Sequence, residues 1–208
     1  MEFNEVLEKR RTYRDFSDRE VSDEILNKVI SAAFKAPTND HLRQFEFVVV
    51  RGKKEIAKVI APLAKNMAAF KDLVFEVDET GDRDKMAMFA DALPKQQKML
   101  MASGVLIIPF FRQMQIPLLN PREQSSLNYF ASAWCALENM LLAATNAGLG
   151  AVFHIPVADE AAQIKSIVNA PDGYEFTCLL TIGYPADGAF LPKQKQINIA
   201  ERIHAGYF

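Results

Sequence analysis

The chain has 208 residues, half of them apolar and about a quarter charged, with a net charge of −2. That length supports one sizeable core, and the near-neutral balance argues against a nucleic-acid binder, which should carry a broad basic face. The longest uncharged run, residues 139–158, holds Gly148, Gly150 and Pro156, so it reads as a helix end followed by a strand and not as a membrane span.

The start, Met1-Glu2-Phe3-Asn4-Glu5, is acidic and lacks an apolar core segment, so no signal peptide is expected and the expected compartment is the cytoplasm. Phe3, Val6, Leu7 and Arg10 share one helical face, which predicts a short helix over 2–10. Lys9-Arg10-Arg11-Thr12-Tyr13-Arg14 follows, with four cations and two hydroxyls in six residues. A helix C-terminus favours a nearby cation, but capping needs one and not four. The cluster looks like half of an anion site.

Ser22-Asp23-Glu24 opens a second helix with an N-cap and two first-turn acids. Its core stripe is Ile25, Leu26, Val29, Ile30 and Ala33, and it ends near Ala36-Pro37. The polar turn Pro37-Thr38-Asn39-Asp40-His41 then precedes a strand from Phe45 to Val50. Residues 53–75 look helical, with a break at Pro62. Residues 76–102 carry little periodicity but hold Met86, Met88, Met99 and Met101, which suit an adaptable core or a segment covering a site.

Gly104 to Phe111 is a second buried strand. Glu123 to Ala147 is the longest predicted helix. Its apolar residues run nearly all the way round, as at a domain centre or a subunit interface, and Gly148 stands where a C-cap glycine belongs. A third strand covers 151–155, a helix covers 158–169 with Asp159 and Glu160 early, and a fourth strand covers 175–184. The last residues look too extended to fold alone. Helices flanking at least four strands predict a one-domain α+β protein. Cys135 and Cys178 are expected to be buried, reduced thiols.

No G-x-G-x-x-G and no P-loop is present, because Gly148-Leu149-Gly150 ends a helix and does not start one. His41, His154 and His204 lack metal-ligand spacing, so no metal site is expected. No serine stands in a nucleophile elbow, and no catalytic residue is singled out. Lys193-Gln194-Lys195 is a second basic element, and it could meet the first on one anion.

These residues resemble the nitroreductase family of FMN-dependent, homodimeric oxidoreductases. Arg10-Arg11-Thr12-Tyr13-Arg14-Asp15-Phe16 is similar to the family's opening motif. Ala32-Ala33 through Ala36-Pro37-Thr38-Asn39 is similar to its loop, and Phe45-Glu46-Phe47 to the W-x-F that follows. Glu138-Asn139-Met140-Leu141-Leu142-Ala143-Ala144 with Gly148-Leu149-Gly150, then Gly183-Tyr184-Pro185 with Lys193-Gln194-Lys195, complete the likeness in order.

The resemblance implies a central, mainly antiparallel sheet wrapped by helices. It implies an intertwined homodimer over a single domain, 1–208, whose tail from about 185 embraces the partner. It also implies an FMN site. Arg10, Arg11, Thr12, Lys193 and Lys195 would hold the phosphate and ribityl chain, and Arg14 would face the N1–C2 carbonyl edge. Pro37, Thr38, Asn39 and His41 would reach in from the other subunit. The backbone of His154 and Ile155 would lie near N5 and C4=O, although Pro156 offers no N–H there.

The implied activity is ping-pong hydride transfer from NADH or NADPH to a nitroaromatic or quinone. Other branches of the superfamily consume flavin, dehalogenate or cyclodehydrate, and a non-catalytic FMN sensor is a further alternative. His41, Arg43, Gln44 and Phe45 depart from the usual loop residues, and Lys195 replaces an arginine that would bind phosphate as a fork.

Overall fold

A computed structural model describes residues 1–64, 83–112, 127–157 and 159–207. Among the described residues, five antiparallel-paired strands form one sheet: β1 Phe45–Arg51, β2 Val105–Arg112, β3 Gly150–His154, β4 Tyr174–Phe176 and β5 Leu179–Gly183. The order is β1-β2-β5-β3, and β4 also pairs with β2. The sheet is wrapped by helices, as the family resemblance implied.

Strand β2 is the centre. Its run Val-Leu-Ile-Ile-Pro-Phe-Phe is buried throughout, as a strand covered on both faces requires. Val105, Ile107 and Phe111 face one core with Leu180 and Ile182, under α2 (Asp23–Ala33) and α6 (Asn128–Asn146). Leu106, Ile108 and Phe110 face the other with Leu179 and Val152, against α3 (Lys53–Val59), α5 (Gln96–Ala102) and α7 (Glu160–Ile167). The remaining helices are α1 (Phe3–Lys9) and α4 (Arg83–Ala92).

The single strand expected over 175–184 is two. Ile107 pairs with Leu180 and Phe110 with Phe176, so the 176–180 side carries one extra residue. Pro109 lies opposite this interruption, and a proline has no N–H to donate to a ladder. Helix α2 starts as expected, with the Ser22 hydroxyl accepting from the Ile25 N–H, but stops at Ala33, three residues early. Helix α3 also stops early, at Val59, ahead of Pro62. The rest of that predicted helix from 65 and the start of the helix predicted from 123 lie outside the described residues.

The described part of the poorly periodic stretch, 83–102, forms α4, a 3-10 turn at Leu93–Lys95 and α5. Its methionines divide, with Met99 in the core and Met88 in a cleft wall. Gly148 closes α6 with φ 76°. The Leu149 N–H donates to the Ala144 carbonyl and the Gly148 N–H to that of Thr145, which is the Schellman pattern.

Helix α6 is not buried on every side in the single chain. Ala133, Ala136, Leu137, Met140 and Ala144 pack inward, whereas Ala131, Cys135 and Glu138 are exposed. Cys135 therefore corrects the expectation of two buried thiols. Cys178 meets it: burial pushes its thiol up to about 12, against a small opposing effect of its contact with Thr177.

Candidate functional site

The basic cluster is laid along the sheet by main-chain contacts. Thr12 forms a parallel bridge with Ala151, and the Tyr13 N–H donates to the Ala151 carbonyl at 3.1 Å. The approach needs Gly150, because a Cβ there would stand 2.7 Å from Tyr13. Phe16 then bridges Pro185, and the Ser17 N–H donates to the Tyr184 carbonyl. Residues 12–17 thus cross the ends of β3 and β5.

Arg10, Thr12 and Arg14 consequently share one cleft of about 160 Å³, whose floor is Ala151, Val152 and Phe153 and whose far wall is Ala92, Gln96 and Met99. Arg14, Ala92, Gln96 and Phe153 also line a second, larger lobe of about 470 Å³. That lobe is walled by Met88, Phe89, Leu93, Ile155 and Val157 and reaches His154 and Glu160. The small lobe is rich in cationic donors and the large one is mostly apolar.

Two polar networks hold this cleft. In the first, the Arg14 Nη1 lies 3.3 Å from Asp91 Oδ2, Lys95 Nζ lies 2.6 Å from Asp91 Oδ1, and the same Nζ reaches Asp15 at 2.5 Å. Burial pulls the Lys95 pKa down, but its hydrogen bonds to Asp15 and Asp91 outweigh that and leave it raised.

In the second network, His154 Nδ1 faces Gln96 Oε1 at 2.8 Å and Nε2 faces Glu160 Oε2 at 2.9 Å. The Val157 N–H donates to the same carboxylate oxygen at 2.9 Å. Glu160 is 1% exposed. A carboxyl group so buried needs hydrogen-bond partners, and the Val157 N–H and the His154 ring supply them.

The predicted site residues divide into three groups. Arg10, Thr12 and Arg14 converge, and His154 and Ile155 border the same cleft through its large lobe. Arg11 turns away and donates to the Pro192 carbonyl, which ties the basic segment to the residue before Lys193; Lys193 and Lys195 are exposed. Pro37, Thr38, Asn39 and His41 stand elsewhere: Thr38 and Asn39 line a separate, smaller depression with Tyr129 and Ser132. There the Asn39 N–H donates to the Ser132 hydroxyl at 2.9 Å.

That loop is conformationally strained. His41 and Arg43 have φ of 55° and 48°, in a region that non-glycine residues seldom occupy. Gln44 Oε1 is buried with no hydrogen-bond partner among the described residues.

Asp91, Lys95, Gln96 and Glu160 were missed by the sequence reading. Glu160 gives only a faint signal in the sequence, as a first-turn acid of its helix. Its carboxylate instead turns inward to His154, whose side chain has a contact where only its backbone was expected to matter. Among the described residues, no group of three or more His, Cys, Asp or Glu could hold a metal ion, and no helix is long and apolar enough to cross a membrane.

Comparison with known proteins bears on this cleft. The sequence profile of the Nitroreductase family matches residues 7–184. The chain is 27% identical over 194 residues to a protein of Haliscomenobacter hydrossis named iodotyrosine deiodinase, with 92% of this chain and 82% of that one covered. It is 27% identical over 206 residues to a Methanothermobacter thermautotrophicus protein provisionally named an NADH dehydrogenase/NAD(P)H nitroreductase, covering 98% and 86%. A crystal structure of oxidized iodotyrosine deiodinase bound to FMN and 3-iodo-L-tyrosine superposes with a TM-score of 0.77 at 18% identity, covering 99% and 100% of the two chains. At that identity the structural likeness concerns the fold.

Proposed function

Because this chain belongs to the nitroreductase family, we propose that it is an FMN-dependent oxidoreductase, taking a hydride from NADH or NADPH and delivering it to an electron-poor small molecule such as a nitroaromatic or quinone. The observation that carries this reading is the convergence of Arg10, Thr12 and Arg14 on one cleft with an apolar floor. The donor set fits FMN. A phosphate favours several charge-assisted donors, and a planar ring favours the apolar walls of the larger lobe.

When bound, FMN supplies two-electron redox chemistry that no side chain here offers. The chain's own part is to bind and orient. Arg10 and Thr12 hold the phosphate and ribityl chain, with Arg11, Lys193 and Lys195 gathered by the tail contact at Pro192. Arg14 offers its charge to the carbonyl edge of the ring. Pro156 has no N–H and that of Val157 is engaged by Glu160; the main chain at His154 and Ile155 would serve the opposite edge. The apolar walls exclude water and stack a nicotinamide or an acceptor in turn.

A second copy completes the site in this reading. Pro37, Thr38, Asn39 and His41 lie apart from the cleft of their own chain and reach a ring only from a partner. The exposed stripe on α6 and the exposed tail residues Ile197, Ile199, Ile203 and Tyr207 support a homodimer in which residues from about 185 embrace the other subunit.

Reductive dehalogenation is a second reading, favoured by the relatives named iodotyrosine deiodinase. One experiment separates the two. The purified protein is loaded with FMN and titrated anaerobically with NADH and with NADPH, then offered a nitroaromatic, a quinone and 3-iodotyrosine. Rapid bleaching by one nucleotide and reoxidation by the first two acceptors is the expected result. Iodide release without turnover of the others would favour dehalogenation. A colourless protein that takes up no added FMN would end both.

A further inference from the structure

Asp91 sits at 7% side-chain exposure, and each of its carboxylate oxygens takes a different cation: Oδ2 takes Arg14, itself 10% exposed, and Oδ1 takes Lys95. A buried ion pair is weak evidence for stability, because desolvating two charges offsets most of their attraction. What such a pair does supply is geometry. Arg14 has a long side chain that lines both lobes of the cleft, and Asp91 fixes one side of its guanidinium while Nη2 rests 3.9 Å from the Met88 sulfur.

The charges also balance. Arg14 and Lys95 face Asp91 and Asp15, so the network is neutral as a whole. Removing the Asp91 charge would leave one uncompensated cation at the junction of the lobes, where screening by water is weak.

We propose that Asp91 is a positioning residue for Arg14, aiming its guanidinium at the junction of the two lobes and moderating the positive charge presented to a ligand bound there. The proposal rests on the FMN reading above. Reduced flavin carries more negative charge than oxidised flavin, so unmasking Arg14 favours the reduced form.

The test compares FMN-loaded wild type with Asp91→Asn, Asp15→Asn, Arg14→Ala and the Arg14→Ala/Asp91→Asn double variant. Each is measured by spectroelectrochemistry and by FMN titration. Asp91→Asn should move the potential to less negative values by about tenfold in the ratio of reduced to oxidised affinity, or about 30 mV for a two-electron couple. Asp15→Asn, which loses a contact to Lys95 and none to Arg14, should shift it by less than about threefold.

In the Arg14→Ala background the second substitution should produce no further shift. A shift of the same size in that background overturns the proposal, because Asp91 would then act directly. A wild-type potential in Asp91→Asn overturns it as well. Should Asp91→Asn fail to fold, Asp91→Glu keeps the charge and must hold the potential within about threefold of wild type; a larger shift also overturns the proposal. Wild type that takes up no FMN ends the cofactor reading and this proposal together, whereas wild type that loads FMN while Asp91→Asn matches it ends this proposal alone.

Discussion

At one end of the cleft, Arg10 meets Glu138 at 3.9 Å, with that carboxylate about half exposed. At the other end, Arg14 and His154 are held by carboxylates less than a tenth exposed. The two ends use the same chemistry for different purposes. A cation loosely paired at the surface gives up little when it turns to a ligand. A charge locked in a buried pair sets distances and angles, and moving it is costly. Affinity for an anion should therefore reside at the Arg10 end, and the shape of the reacting end should reside in the Asp91 and Glu160 networks.

Three changes would break or sharpen that contrast. The largest effect is expected from Glu160→Ala, which strands His154 and frees the Val157 N–H. Each buried donor left without an acceptor costs about 1–3 kcal/mol, and two are stranded here; urea unfolding measures the loss. A loss under about 1 kcal/mol would show that the tight end is not held by this carboxylate.

Arg10→Ala should leave the unfolding midpoint almost unmoved, since an exposed pair contributes about 0–1 kcal/mol. It should weaken FMN binding by about tenfold or more, the loss of one charge-assisted contact worth about 1.5–3 kcal/mol. Titrations at low and high salt would check both halves of that statement. Unchanged FMN affinity would move the anion site away from Arg10.

The smallest effect concerns alkaline pH. Burial lowers the Lys95 pKa, but the hydrogen bonds to Asp15 and Asp91 prevail and leave it above the ordinary value. A raised pKa in the folded state means that this stabilisation is complete below the unfolded pKa of about 10.4. It is lost as pH rises through the folded value. Melting temperatures from neutral to strongly alkaline pH should fall at the top of the range in wild type, and more gently in Lys95→Met. Parallel curves would remove Lys95 from the network's account.

The basic segment was legible in the sequence, and the carboxylates that hold the tight end were not. Four cations in six residues stand out against any background, and the uninterrupted apolar run of β2 and the glycine closing α6 are local signals of the same plain kind. Asp91 is one of two acids in a helix with no strong periodicity. Whether it faces water or Arg14 depends on how α4 docks, which no nearby residue encodes. Glu160 looked like the first-turn acid that any helix start favours, and only the ring of His154 at the end of β3 explains why it turns inward. The break between β4 and β5 has a similar origin, because its cause, Pro109, lies on another strand. Cys135 was misjudged because an apolar helix residue looks buried until the partner-free face is known.

The seat of the basic cluster beside β3 has a consequence for the order of folding. Thr12 and Tyr13 are made early by the ribosome, but the Ala151 main chain they bond to, and the Gly150 gap that admits Tyr13, come much later. A contact of such sequence separation forms only after its large loop has closed. Until then the neighbouring arginines repel one another with nothing to brace them. The proposed anion cradle is thus expected among the last parts of the molecule to be set. A ligand binding only the finished cradle would draw that final step forward by mass action.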